Sequence, residues 1–322
     1  MDTITEIIRM ARVQASLDRR CLLAGATVME MPACGEGEAP FHVLVEGTCT
    51  LELPNRPIEL RPGDVLLFPW SAPAHRIHTT GEGPAQEAVM TPGDNFATFR
   101  SPAGEAAIDL FCGYYLYGAG AGTMFFRSLP NPLHISFAGS GNASEILRML
   151  STILRQEAEN DGPGTAAVLS HLCSALLAMV LRKTNRRFTE TALWTAADDD
   201  RIRAVIDAVL REPGADWTIA RLAQIVNMSR ATFVRHFSQC TGMTVGALLA
   251  HIRLMTAADL LTDTDFPVAA VATEVGYRSE SAFSRAFRLA TGSTPARFRR
   301  NVANSQPTRM LRAYGPPQLT GP

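Results

Sequence analysis

The amino-acid sequence predicts an α+β protein of two domains. The N-terminal one is an antiparallel β-barrel or sandwich with a helical hairpin, and the C-terminal one is an all-α domain of two tandem helix-turn-helix units. Three observations predict this. Near residue 140 the pattern changes from short apolar runs punctuated by Gly and Pro to apolar residues at three- and four-residue spacing. Within the C-terminal third a segment recurs, Ser229 matching Ser279 and Phe233 matching Phe283. The length, 322 residues, suffices for two separate cores.

The first part, about 20–137, holds the apolar runs Phe41–Val45, Cys49–Leu53, Val65–Phe68, Ala107–Cys112 and Leu133–Phe137. Runs this short and close, with no helical period between them, predict antiparallel strands. Two helices follow, Ala143–Glu159 and Thr165–Arg187, separated by Asp161-Gly162-Pro163-Gly164, which predicts an antiparallel helical hairpin. The resulting division is a strand-rich domain 1–140, a hairpin 141–188, a polar linker 189–200, a helical domain 201–300 and a tail 301–322 expected to be disordered.

The repeat is the most specific feature. Ser229-Arg230-Ala231-Thr232-Phe233-Val234-Arg235-His236-Phe237 recurs as Ser279-Glu280-Ser281-Ala282-Phe283-Ser284-Arg285-Ala286-Phe287, and each copy closes on Thr-Gly. Ala223 lies four residues before Asn227, and Ala272 four before Gly276. A helix-turn-helix needs a small residue where its helices press together and a residue tolerant of the left-handed region at the turn, and both copies supply them. The paired Phe share one helical face, so Arg235 and Arg285 point away from it. Val245–Asp263 reads as one spacer helix of ~28 Å at 1.5 Å per residue. That length suits two recognition helices entering successive major-groove faces about one turn, ~34 Å, apart.

Composition bounds the rest. Apolar residues are 46% and charged residues 19%, the balance of a globular chain. No uninterrupted apolar run approaches the ~18–20 residues of a membrane span, and the N-terminus lacks a basic and apolar leader, so a cytoplasmic protein that avoids the membrane is expected. The six cysteines form no CxxC pair and read as free thiols. Residues 1–198 carry 15 basic against 21 acidic side chains, whereas 199–300 carry 13 against 10, a charge asymmetry that suits a polyanion-binding module at the C-terminal end. No Gly-rich phosphate loop or nucleophile elbow is present.

Residues from about Asp200 to Arg300 resemble the DNA-binding domain of the AraC/XylS family. The resemblance rests on Trp217-Thr218-Ile219, on Arg253-Leu254-Met255 with Ala257 and Leu260-Leu261, on the run Val275–Phe287, and on Gly292-Ser293-Thr294-Pro295 leading to Phe298-Arg299. It implies a regulator of transcription that binds double-stranded DNA through the exposed faces of the second helices. The implied positions are Arg230, Ala231, Thr232, Val234 and Arg235 in the first unit, and Arg278, Ser279, Glu280, Ser281, Ser284 and Arg285 in the second. Arg pairs with guanine O6/N7, and Ala or Val meets a thymine methyl. Glu280 either accepts from cytosine or caps its helix, Val234 either reads a base or packs, and Ser229 and Ser279 suit helix caps or phosphate contacts.

The strand-rich part is similar to the cupin (jelly-roll) sensor of one AraC-type subgroup, on Phe41–Gly47, Leu60–Pro69, His75-Arg76-Ile77, Phe111–Tyr115 and Leu129–His134. That resemblance implies an effector pocket, its small-molecule ligand unknown. His42, His75 or His78, and Cys112 are candidates for holding zinc or another divalent ion, set against an organic-effector pocket or a packed core of satisfied histidines. No cofactor is certain. Cys21 and Cys112 are candidate redox thiols, set against inert buried cysteines. With the family's His-x-His reduced to His42-Val43-Leu44, an enzyme is not expected. The resemblance also implies a homodimer through the hairpin, set against a hairpin that only covers its own barrel, together with contacts to RNA polymerase. A ligand-driven population shift passed through linker 189–200 is the expected mechanism, with activation more expected than repression.

Overall fold

The computed structural model describes residues 3–35, 37–139, 141–184 and 199–302, with nothing described of the Ala143 side chain. The expected linker, apart from Asp199 and Asp200, and the tail beyond residue 302 lie outside the described residues. In chain order the elements are α1 (Thr3–Met10), β1 (Gln14–Leu23), β2 (Thr27–Met31), β3 (Glu38–Glu46), β4 (Cys49–Glu52), β5 (Pro57–Leu60) and β6 (Asp64–Leu67). Next come β7 (His75–His78), β8 (Gln86–Glu87), β9 (Val89–Thr91), β10 (Ala97–Arg100), β11 (Ile108–Leu116), α2 (Ala121–Arg127) and β12 (Leu133–Ser136). The remaining helices are α3 (Asn142–Asn160), α4 (Thr165–Thr184), α5 (Asp200–Arg211), α6 (Ile219–Ile225), α7 (Arg230–Thr241), α8 (Val245–Asp263), α9 (Val268–Glu274) and α10 (Glu280–Thr291).

The chain forms two compact units. The sheet-rich unit (14–117 and 130–180) stacks a seven-stranded sheet, β12-β6-β3-β11-β1-β10-β9, on a five-stranded one, β5-β4-β7-β2-β8. Of the barrel or sandwich expected, the chain forms two stacked sheets, and the pairing is mixed rather than antiparallel throughout. β1 runs parallel to β10, and β2 parallel to β8. Most residues between the sheets are aliphatic or sulfur-bearing, among them Leu23, Met29, Leu44, Leu51, Leu66 and Ile77, with Phe68 beside them.

The outer face of the larger sheet carries Leu17, Phe41, Val43 and Phe111, which meet Leu147, Leu154, Leu172 and Leu176 of the α3–α4 hairpin. Polar ties fix this layer. Tyr115 Oη donates to the Cys173 carbonyl at 2.8 Å, and Ser170 Oγ to that of Ala15 at 2.7 Å. Asp109 accepts both Arg20 and Arg155, and Arg155 also reaches Glu46 at 2.6 Å. The hairpin therefore covers its own sheet. Met149, Ile153 and Val168 remain exposed on it.

One irregularity decides what faces inward. Leu17 and Cys21 are four residues apart in β1 and would share a face in a regular strand. A register shift between Leu17 and Arg19 places Leu17 on the hairpin side and Cys21 in the core between the sheets.

The helical unit contains α5–α10, the helical residues 295–302, and two segments from earlier in the chain, 3–13 and 118–129. The sequence reading assigns those two segments to the strand-rich domain. α1 buries Ile4, Ile7 and Met10, and its polar side is matched to the helices beside it. Thr3 Oγ1 donates to Asp207 at 2.5 Å, Arg9 and Arg12 pair with Asp259, and Arg12 also pairs with Asp263. α2 approaches α8 closely at Gly120, where a Cβ would lie 2.6 Å from Ala258 Cβ and 2.7 Å from Phe298 Cζ.

Two helices, α4 and α8, are long and apolar enough by length and composition to cross a membrane, contrary to the expectation from uninterrupted runs. The apolar run of α4 is interrupted by Ser170-His171 and Ser174, and that of α8 by His251, Arg253 and Asp259, so a high average hydropathy stands without a continuous run. α8 buries Leu248, Ile252, Met255, Ala258 and Leu261 in its unit, so its apolar character is that of a core helix.

Candidate nucleic-acid interface and sensor core

Each helix-turn-helix is made by local chemistry that the repeat encodes twice. After α6 the Asn227 N–H donates to Gln224 O and the Met228 N–H to Ala223 O. After α9, Gly276 donates to Thr273 O and Tyr277 to Ala272 O. This is the Schellman pattern, and it requires the left-handed region, where Asn227 (φ 53°) and Gly276 (φ 80°) sit. Ala223 and Ala272 are buried at the contact, as the spacing predicts. Ser229 Oγ then accepts from the Thr232 N–H, and Ser279 Oγ from that of Ala282, so both serines are N-caps. Glu280, in the first turn of α10, is relieved of the capping role by Ser279 and is exposed.

The inner faces of α7 and α10 are anchored by Phe233, Phe237, Phe283 and Phe287, all 0% exposed. Their outer faces present Arg230, Ala231, Thr232, Val234 and Arg235 on α7, and Glu280, Ser281 and Arg285 on α10, all exposed, with Arg278 and Ser279 exposed just before it. Val234 is 37% exposed, which argues against a packing role, whereas Ser284 is half-buried. Among the described residues neither Arg235 nor Arg285 has an ion-pair partner, so both guanidinium groups are available to an incoming base or phosphate.

Arg253 of α8 fixes the frame beneath the two helices. It donates to the carbonyls of Pro213 at 2.9 Å and Ala215 at 3.0 Å. Arg299 does likewise for Phe266 at 2.6 Å. Nearby, burial lowers the pKa of His251 to about 4, and its Nε2 has no hydrogen-bond partner. A histidine with a lowered folded pKa is protonated first in the unfolded chain. Its contribution is therefore complete above about pH 6.5 and is lost as pH falls towards 4, by about 3 kcal/mol at most. Thermal unfolding of His251→Leu should show a correspondingly smaller loss between pH 6.5 and 4 than the parent. Equal losses would assign the acid sensitivity to other groups.

In the sheet-rich unit the structure brings together four of the sequence candidates, His42, His75, Cys112 and Cys21, between the two sheets. Cys112 and His42 are cross-strand partners on β11 and β3, and His75 faces them from β7 of the other sheet. His78 does not join them. Burial alternates along β7, so His75 and Ile77 face the core while Arg76 and His78 turn the other way.

The contacts form a line rather than a ring. Cys112 Sγ lies 3.0 Å from His42 Nδ1, His42 Nε2 lies 3.1 Å from His75 Nε2, and His75 Nδ1 lies 2.9 Å from the Pro73 carbonyl. Burial, then the neighbouring His75, holds the His42 pKa well below the ordinary range, and burial lowers that of His75, so both rings are neutral. The direction of each hydrogen bond follows. A carbonyl only accepts, so His75 Nδ1 carries a proton and its Nε2 accepts from His42 Nε2–H. That leaves His42 Nδ1 to accept from the Cys112 thiol. Burial, then the adjacent Cys21, raises the Cys112 pKa well above its usual value, in keeping with a protonated thiol. Cys21 Sγ stands 4.0 Å from Cys112 Sγ and 3.6 Å from Met29 Sδ.

Sequence reasoning missed one further grouping, Asp199, His236 and Cys240 in the helical unit. The i, i+4 spacing of His236 and Cys240 was a readable signal, but nothing in the sequence joins Asp199 to them.

Comparison with known proteins places these features. The cupin family Cupin_6 matches residues 2–185, and a helix-turn-helix domain family, HTH_18, matches 222–301. The chain is 30% identical over 305 residues to an uncharacterized HTH-type transcriptional regulator of Haemophilus influenzae, covering 94% of this chain and 100% of that one. It is 30% identical over 309 residues to the RCS-specific HTH-type transcriptional activator RclR of Escherichia coli, covering 95% and 100%. With the HTH-type transcriptional regulator MtrA of Neisseria gonorrhoeae it shares 27% identity, covering 93% and 98%. These relatives are regulators rather than enzymes.

Proposed function

Because this chain belongs to the AraC-type helix-turn-helix transcriptional regulators with an N-terminal cupin domain, we propose that it is an effector-responsive activator that reads two major-groove segments of one duplex with α7 and α10. The observation that carries this reading is the duplicated frame: matching left-handed turns, serine caps and inward Phe pairs, with Arg235 and Arg285 both exposed. Capture of sheared genomic DNA by the purified protein at about 150 mM salt tests it, since non-specific phosphate binding is weak there. The expected result is a motif of two blocks about one helical turn, ~34 Å, apart. Absence of any shared motif across an effector and oxidant series would count against a sequence reader. Such a regulator works on chromosomal DNA in the cytoplasm.

The input is assigned to the Cys21–Cys112–His42–His75 line. The Cys112 thiol is held by its hydrogen bond to His42 Nδ1, and Cys21 is near enough to act as resolving thiol after a small movement. Oxidation by a peroxide converts Cys112 to a sulfenic acid, which Cys21 then condenses to a disulfide with release of water. A zinc or other divalent ion on His42 Nε2 and His75 Nε2 would leave Cys112 on the opposite nitrogen of His42, so the geometry favours thiols over a metal as the sensing group. The name of the E. coli relative, an RCS-specific activator, marks a specific signal for that protein and is compatible with a dedicated input here.

The chain itself supplies a route from input to reader. β1 carries Cys21 and follows α1, and β11 carries Cys112 and precedes α2, while both helices pack in the helical unit. Movement of either strand therefore pulls on a helix bound to the reader. Peroxide is expected to join Cys21 to Cys112, read as loss of two hydrogens in the peptide pair, and to change operator affinity. Cys112→Ser should abolish both effects. A peroxide response that persists in Cys112→Ser would remove this input. Dimerisation through the exposed residues Met149, Ile153 and Val168 of the hairpin completes the proposal, and sedimentation showing only monomer at micromolar concentration would overturn that part. Contact with RNA polymerase belongs to the same reading.

A further inference from the structure

Asp199 is the N-cap of α5, and its two oxygens have different tasks. Oδ1 accepts the N–H groups of Arg201 and Ile202 at 2.9 and 3.2 Å, while Oδ2 points away from the cap to His236 Nε2 at 2.6 Å. Cys240, one turn after His236 on α7, places its Sγ 3.7 Å from the same Nε2. Three ligand atoms of different chemistry, an oxygen, an imidazole nitrogen and a sulfur, thus lie within 4.8 Å of one another. All three residues are partly exposed, so an ion has a path in.

The spacing can be compared with a tetrahedral ion. Bond lengths of ~2.0–2.1 Å to nitrogen or oxygen and ~2.3 Å to sulfur put nitrogen and sulfur roughly 3.5–3.6 Å apart and nitrogen and oxygen roughly 3.3 Å apart. The His236–Cys240 separation already matches. The Asp199–His236 pair must open by roughly 0.7 Å, exchanging its hydrogen bond for two metal bonds, which Oδ2 can do while Oδ1 keeps the cap. The helix N–H groups then hold the carboxylate as outer-shell donors. The donor set, one thiolate, one imidazole and one carboxylate, suits zinc and its chemical neighbours rather than magnesium or calcium.

We propose that Asp199 Oδ2, His236 Nε2 and Cys240 Sγ form a binding site for a divalent transition-metal ion of the zinc class, tying the start of α5 to the first recognition helix. Binding displaces the Cys240 thiol proton to solvent, shifts the His236 Nε2 proton to Nδ1 by exchange with solvent, and replaces the Asp199–His236 hydrogen bond with metal bonds, with no change of oxidation state. Three protein ligands leave the fourth position to water. The site is separate from the thiols of the sheet-rich unit and from the base-reading face of α7, and it adds a second input that acts on the reader directly.

The test uses full-length, chelator-stripped protein titrated with Co²⁺ alone and then with Zn²⁺. The expected result is a thiolate-to-cobalt charge-transfer band that saturates at a single ion per chain and is displaced by Zn²⁺. The band should be absent in Cys240→Ser and retained in Cys112→Ser, and His236→Gln should weaken binding at least about tenfold. Asp199→Asn keeps a capping side chain and should also weaken binding. A measurement on the unaltered chain guards against variants that misfold: Zn²⁺ should protect Cys240 from alkylation, as located by peptide mass. A band that survives in Cys240→Ser, or Cys240 alkylation unaffected by Zn²⁺, would overturn the proposal and leave a helix cap with an ion pair.

Discussion

Arg235→Ala is expected to weaken binding to the recovered operator by ~1–3 kcal/mol, roughly 5- to 150-fold, and to relax preference at one base pair of the first block. The side chain is exposed on the outer face of α7, has no ion-pair partner among the described residues, and sits on a helix whose inner face is locked by Phe233 and Phe237. Its removal therefore costs contact with DNA and little stability. Arg285→Ala should do the same for the second block. The two sites belong to separate helices, so their effects should add. Arg230 and Arg278, at or just before the helix starts, are placed for phosphate. Losing either should lower affinity across all sequences and reduce the salt dependence by about one counterion. Electrophoretic titration of operator and scrambled duplexes at several salt concentrations separates the cases. If Arg235→Ala weakened both duplexes equally, α7 would be a phosphate contact and not a base reader.

Gly276→Ala should be the most damaging single methyl addition at the two reader turns, at a cost of about 2–4 kcal/mol. Two effects combine there. The residue has φ 80°, and an added Cβ would lie 2.8 Å from both Arg253 Nη2 and Gly214 O. Arg253 cannot withdraw without giving up the carbonyls of Pro213 and Ala215. Asn227 occupies the equivalent turn with φ 53° but already has a side chain and is exposed. Asn227→Ala should therefore cost only about 1 kcal/mol, the ordinary penalty of the left-handed region. Chemical denaturation of the two variants measures the contrast directly. Equal losses would mean that the turn conformation alone, and not the Arg253 contact, sets the cost.

The helical unit was readable because its determinants are local. The turn residues Asn227 and Gly276, the caps Ser229 and Ser279, and the spacer Val245–Asp263 all act within a few residues of their own position, and each lies where the sequence pattern puts it. The sheet-rich unit was readable only in part. β3, β4, β6, β11 and β12 coincide with apolar runs, but β1 is interrupted by Asp18-Arg19-Arg20 and leaves no run to find. In the structure Asp18 and Arg19 pair with each other, whereas Arg20 is met by Asp109, distant in sequence. The helices α1 and α2 are short and surrounded by strands, so their period is weak against that background.

By itself, then, the sequence determined the duplicated reader, its turn chemistry, its exposed arginines and its family, because helices and their caps are encoded by neighbours one turn apart. Only the tertiary structure decided which candidates of the sensor meet. The irregularity between Leu17 and Arg19 turns Cys21 inward towards Cys112, strand alternation turns His78 away, and stacking of the sheets sets His75 against His42. It likewise decided that the hairpin lies on its own sheet and that Asp199 meets His236 and Cys240. These outcomes depend on strand register and on packing between segments far apart in the chain. A shift of one residue in a strand reverses every side chain beyond it, and no local pattern records that choice.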